Sequence, residues 1–167
     1  DKGQLEEALK RVTYAVTLTP EKAEYWVQQG NILQTLLRLE ESSQAYGEAL
    51  KLEPGNKPAL ENKALNGELA KERKDGKDLP FLRFMKLYQS LRKQERYAES
   101  VAVIQHAAKG SKDLNAYFKA VWEKTGFKGG TMTVTPDGTC EVDLKNLGIT
   151  DLRPLSQFPI STLYLAD

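Results

Sequence analysis

From Leu5 to Val16 the apolar residues recur at helical spacing, as Leu5, Ala8, Leu9, Val12, Ala15 and Val16, and the pattern closes at Pro20. A second run, Ser42, Ala45, Tyr46, Ala49 and Leu50, closes at Pro54, which stands 34 residues beyond Pro20. At that offset Ala8 falls on Ser42, Val12 on Tyr46 and Ala15 on Ala49. Recurrence with a period in this range is the mark of an architecture built from repeated supersecondary units.

Further along, KPALENKALNGELA over residues 57 to 70 predicts another helix, with Pro58 near its start and Ala64 at a close-contact position. The nearly all-charged KERKDGKD, residues 71 to 78, is punctuated by Gly76 and Pro80 and predicts a frayed helix end and a surface loop. Helical periodicity resumes with Phe81, Leu82, Met85, Tyr88 and Leu91, continues with Tyr97, Val101, Ile104 and Ala107, and stops at Gly110, which predicts a helical hairpin. Ser111 is a suitable N-cap for a last helix with the apolar stripe Leu114, Tyr117, Phe118, Val121 and Trp122, and Gly126 suits its C-terminal end.

After Gly129 and Gly130 the period changes from helical to alternating. TMTVT, PDG and TCEVDL predict a β-hairpin over residues 131 to 144, turning at Asp137 and Gly138. Val142 and Leu144 recur 21 residues later as Leu163 and Leu165, with Ile149, Leu152, Leu155 and Phe158 between them. The change of period predicts a domain boundary between residues 126 and 127.

The segment from Ala23 to Asn56 resembles a complete tetratricopeptide (TPR) repeat, carried by Trp26, Gly30, Tyr46, Ala49 and Pro54. It departs from that pattern at Gln29, Leu33 and Ser42, where leucine, an aromatic and alanine are usual. Residues 3 to 22 resemble the second helix of a preceding repeat, and 57 to 70 the first helix of the next. Residues 81 to 110 resemble a degenerate hairpin with Phe84, Leu87, Tyr88, Tyr97, Ser100 and Ala107 at signature positions, lacking the glycine and the closing proline, and 111 to 126 resemble a capping helix. Residues 127 to 167 resemble the start of a bacterial-type leucine-rich repeat (LRR) domain, through DLRPL at 151 to 155 and FPIS at 158 to 161, with Leu147 where many such repeats have asparagine.

These resemblances imply a mainly α protein with a small β part: a TPR-like α-α solenoid over residues 1 to 126, then a β-hairpin cap and the first leucine-rich repeat over 127 to 167. They also imply a fragment of a larger multidomain protein, because both arrays are incomplete. Bacterial proteins that combine such repeats sometimes carry a Ser/Thr kinase domain elsewhere; these residues encode none.

By the same resemblance the concave groove is lined by first helices, here Glu24, Val27, Asn31, Gln34 and Thr35, followed by Glu61, Leu65 and Glu68. Val27 and Glu61 stand where a carboxylate clamp would need cations, so none is expected. The exposed strand positions of the leucine-rich part are Asp143, Lys145 and Tyr164. The implied function is a non-enzymatic protein-protein interaction scaffold with a protein or peptide partner. The alternative is a structural spacer within a larger signalling protein. Dimers through the truncated ends, the helix at 3 to 18 and the layer at Leu163 and Leu165, are a further expectation.

Composition narrows the classes. The 167 residues carry 24 Lys+Arg against 23 Asp+Glu, so a formal charge of +1 offers no general field for nucleic acid or an anionic membrane. One cysteine forms no internal disulfide and excludes paired CxxC metal sites. No apolar run approaches the roughly 18 residues of a membrane span, and the chain reads as reduced and cytoplasmic. His106, beside Val103, Ile104 and Ala107, has no catalytic partner in the sequence, and Cys140 reads as a packing thiol. The glycines at Gly76 and Gly129–Gly130 lack the spacing of a phosphate loop, and Glu40–Glu41 read as a solvated helix face. No enzymatic activity, metal or cofactor is expected.

Overall fold

The computed structural model describes residues 2–72, 79–108 and 112–165. Most of the charged stretch after Lys71, Gly110 and the N-cap expected at Ser111 lie outside them. The chain is mainly helical with one small three-stranded sheet, and it divides into two compact units, Asp1–Pro80 and Phe81–Asp167.

The first unit is built from α1 (Lys2–Leu18), α2 (Ala23–Thr35), α3 (Leu39–Leu52) and α4 (Lys57–Glu72). Helix α1 turns its buried Leu9, Val12 and Val16 inward, and the chain leaves it at Leu18 before Pro20. Leu9, Val12, Leu33 and Ala45 form one cluster, with Trp26 packed against it; Tyr46, Ala49 and Ala59 form another. Trp26 also donates its indole N–H to the carbonyl of Pro20 at 2.8 Å. Asn56 supplies an N-cap for α4 by accepting the Ala59 N–H at 3.1 Å. Helix α4 buries Ala59, Asn62, Leu65, Asn66 and Leu69, whereas Ala64, expected at a close contact, is exposed. The inward stripe of α4 is part amide, so apolar spacing alone misplaces its face.

The second unit comprises α5 (Phe81–Lys93), α6 (Tyr97–Ala108), α7 (Lys112–Glu123), strands β1 (Thr131–Val134) and β2 (Cys140–Asp143), a 3-10 turn at Arg153–Gln157, and β3 (Ile160–Tyr164). In the hairpin, Leu82 (74% exposed) and Tyr97 (50%) point outward, while Phe84, Leu87 and Val103 are buried. Strands β1 and β2 pair antiparallel, from Thr131↔Asp143 to Val134↔Cys140. Their turn is closed by Thr135 N–H to the Thr139 carbonyl and by Gly138 in the left-handed region (φ 86°). Strand β3 joins β2 in parallel, with Val142 opposite Leu163 and Asp143 opposite Tyr164.

The boundary expected at residue 126 falls inside a continuous core. Met85, Tyr88 and Ile104 of the hairpin, Leu114 and Phe118 of α7, and Cys140, Val142, Leu144, Leu155 and Phe158 make a single buried cluster. The switch of period marks a change of secondary structure; which core an apolar face joins is decided by long-range packing.

One turn closes both helical hairpins. Leu37 (φ 61°) and Glu95 (φ 60°) each adopt the left-handed conformation at the helix end. Arg38 N–H then reaches the Leu33 carbonyl and Arg96 N–H the Leu91 carbonyl, both at 2.9 Å, while Leu37 and Glu95 bond back to Gln34 and Arg92. In the first turn of each following helix the arginine forks onto a glutamate, Arg38 onto Glu41 and Arg96 onto Glu99. Ser42 and Ser100 follow, both fully buried.

Burial pushes the Cys140 thiol up to about 12. The folded chain therefore keeps a proton that an unfolded thiol releases near pH 8.5. Stability of the second unit should accordingly fall as pH rises from about 8.5 towards 12. A thiol reagent at about pH 8 should label Cys140 only as the unit opens, and rapid native-state labelling would contradict its burial.

Candidate protein-binding face

Helix α2 packs on α1, α3 and α4, which places the two rows of expected groove residues on neighbouring helices of one unit. Glu24, Glu61 and Glu68 are exposed, and Val27 and Asn31 are half-buried. Gln34, Thr35 and Leu65, expected on the same surface, are instead buried, the first two completely.

The reason is a buried polar network that ties three helices together. Ser42 Oγ donates to the Gly30 carbonyl at 2.7 Å, joining α3 to α2. Asn66 of α4 donates to Ser42 Oγ at 2.8 Å and accepts from Gln34 Nε2 at 2.9 Å. Thr35 Oγ1 turns back onto the Asn31 carbonyl of its own helix at 3.0 Å. Ser42 and Gln34, both fully buried, thus find their polar partners inside the unit rather than in solvent. Asn66→Ala should cost about 2 kcal/mol, because it removes the amide that serves both Gln34 and Ser42; urea unfolding measures it.

What remains exposed is locally paired. Glu24 accepts from Gln28 Nε2 at 3.1 Å, and Lys57 approaches Glu61 at 3.8 Å. Asn31 Oδ1 accepts the hydroxyl of Tyr46 at 2.7 Å, so its side chain is anchored on the neighbouring helix. The face is acidic at Glu24, Glu61 and Glu68 with a small apolar patch at Val27. Among the described residues no group of three His, Cys, Asp or Glu side chains is placed to hold a metal ion. No described helix is long and apolar enough to cross a membrane.

On the sheet of the second unit, Lys145 and Tyr164 are exposed and Asp143 is half-buried. The Lys145 ammonium, two residues past the end of β2, lies 4.7 Å from the ring centroid of Tyr164 in β3. Sequence reasoning missed one feature of this unit, a cleft beside Arg92. Its only sequence signal is a cation pair, Arg92–Lys93, at the end of α5.

No protein-family model, curated protein or solved structure matches the chain.

Proposed function

We propose that the chain is a repeat-built, non-enzymatic protein-interaction scaffold, with helical hairpins of the TPR type leading into a leucine-rich strand layer. The observation that carries the reading is the recurrence of one hairpin design: the same left-handed turn residue, arginine–glutamate fork and buried serine at residues 37–42 and 95–100. The parallel pairing of Val142 with Leu163, which share one place in the sequence recurrence, supports the leucine-rich half. Repeats of this sort present side chains from successive units as one extended surface.

On this reading the partner contacts Glu24, Val27, Asn31, Glu61 and Glu68, and the acidic character of the face favours a basic or amphipathic segment. A spacer role is the second reading, favoured by the local pairing of Glu24 and Glu61. Charge reversal separates the two. Glu24→Lys, Glu61→Lys and Glu68→Lys together should lower the unfolding midpoint only modestly, through the lost Gln28 and Lys57 pairings, while leaving the unit folded, and should abolish capture of a partner from lysate. A partner retained by the triple variant, or none at all, favours the spacer.

A further inference from the structure

We propose that the cleft between α5, α7 and the 3-10 turn of the second unit binds a small organic anion, a carboxylate or phosphate carried on an apolar body. The cleft has a volume of about 370 Å³ and is walled by Tyr88, Gln89, Arg92 and Lys93 of α5, Tyr117 of α7 and the chain at Ser156 and Gln157. That volume lies in the range of small-molecule sites.

Charge and hydrogen-bond accounting select an anion. The lining carries two cations and no carboxylate. Arg38 and Arg96 each fork onto a glutamate, whereas Arg92 pairs with no acid among the described residues. Its Nη2 donates to the Ser156 carbonyl, and its guanidinium lies 4.7 Å from the Tyr97 ring centroid. Its Nε is buried with no acceptor. A cation in the last turn of α5 also suits the helix dipole, but the dipole accounts for the charge and not for a guanidinium without an acid.

The two backbone carbonyls facing Arg92 each already accept a proton. The Gln157 carbonyl takes the Tyr88 hydroxyl proton at 2.8 Å, and burial raises the Tyr88 phenol so that it stays protonated. The Ser156 carbonyl takes Arg92. Tyr117 accepts from Gln89 Nε2 at 2.6 Å, which leaves its own O–H proton to give. Arg92 and Lys93 supply charge, Tyr117 a directed hydrogen bond, and the Tyr88 and Tyr117 rings an apolar wall for the body of the ligand.

Calorimetric titration of the 167-residue chain with phenyl phosphate and with benzoate tests this, with benzamide as the neutral isostere. Saturable binding of at least one anion below about 10 mM, with none of benzamide, is expected. The tighter anion identifies phosphate or carboxylate as the preferred group. Arg92→Gln should weaken binding about tenfold or more and Tyr117→Phe several-fold, while Arg11→Gln in the first unit leaves it unchanged. Tyr117→Phe keeps the ring, so it decides the matter if Arg92→Gln does not fold. Failure of both anions to saturate, equal binding of benzamide, or affinity unchanged in Tyr117→Phe would overturn the proposal.

Discussion

Phe118→Ala should destabilise the whole second unit, by about 4 kcal/mol, and loosen the helical hairpin and the sheet together. Phe118 is fully buried and sits at the centre of an aromatic cluster, with ring centroids 5.9 Å from Tyr88, 5.4 Å from Tyr117 and 5.7 Å from Phe158. Those partners come from α5, from α7 and from the segment before β3. Truncation therefore opens a cavity that α5, the sheet segment and α7 all line, and edge-to-face ring contacts are lost with the buried area. Amide hydrogen exchange distinguishes the outcomes. Protection should fall in α5–α6 and in β1–β2 by similar amounts. If only the strands exchange faster, the hairpin and sheet have separate cores and the unit is not one cooperative body.

Gly30→Ala is expected to cost the first unit about 3 kcal/mol, against the gain of up to about 1 kcal/mol that alanine brings to an unobstructed helix. A Cβ at residue 30 meets three ring atoms of Tyr46 at 2.6, 2.7 and 2.9 Å. The ring cannot swing away, because Tyr46 is completely buried and its hydroxyl is held by Asn31. Tyr46→Leu frees that space, so the double variant should be more stable than the two single costs added together. A thermodynamic cycle from urea unfolding reads the coupling. Strictly additive costs would show that close approach at Gly30 does not set the spacing of α2 and α3.

The second hairpin reaches a similar closure with a different filling. At the place corresponding to Gly30 it has Tyr88, and at that of Tyr46 it has Ile104, both buried. The large side chain has moved from the second helix to the first. This exchange explains why the glycine expected of the repeat is missing there while the turn, the arginine–glutamate fork and the buried serine are kept.

Much of this was legible in the chain. Apolar spacing located the helices, because a helix must bury one stripe whatever it packs against. Gly30 and Tyr46 were legible as positions of the repeat pattern, though not as partners in contact. Asp137–Gly138 placed the β-turn, since few residues accept a left-handed backbone. The recurrence of Val142 at Leu163 marked two positions that the structure pairs in parallel strands.

Polar burial and domain division were not legible. Nothing local separates Gln34 and Thr35, which are buried, from Asn31, which is half-buried, on the same helix; Gln34 is inward because Asn66 waits on α4 to receive it. Nor does the change of period at Gly129–Gly130 reveal that α5, α6 and α7 share a core with the strands. Periodicity and turn chemistry act within a few residues, so the sequence by itself determined the helices and the tight turn at Asp137–Gly138. Which faces meet, which amides are sheltered from water and where Arg92 is left without an acid depend on partners far away along the chain, and those only the tertiary structure decided.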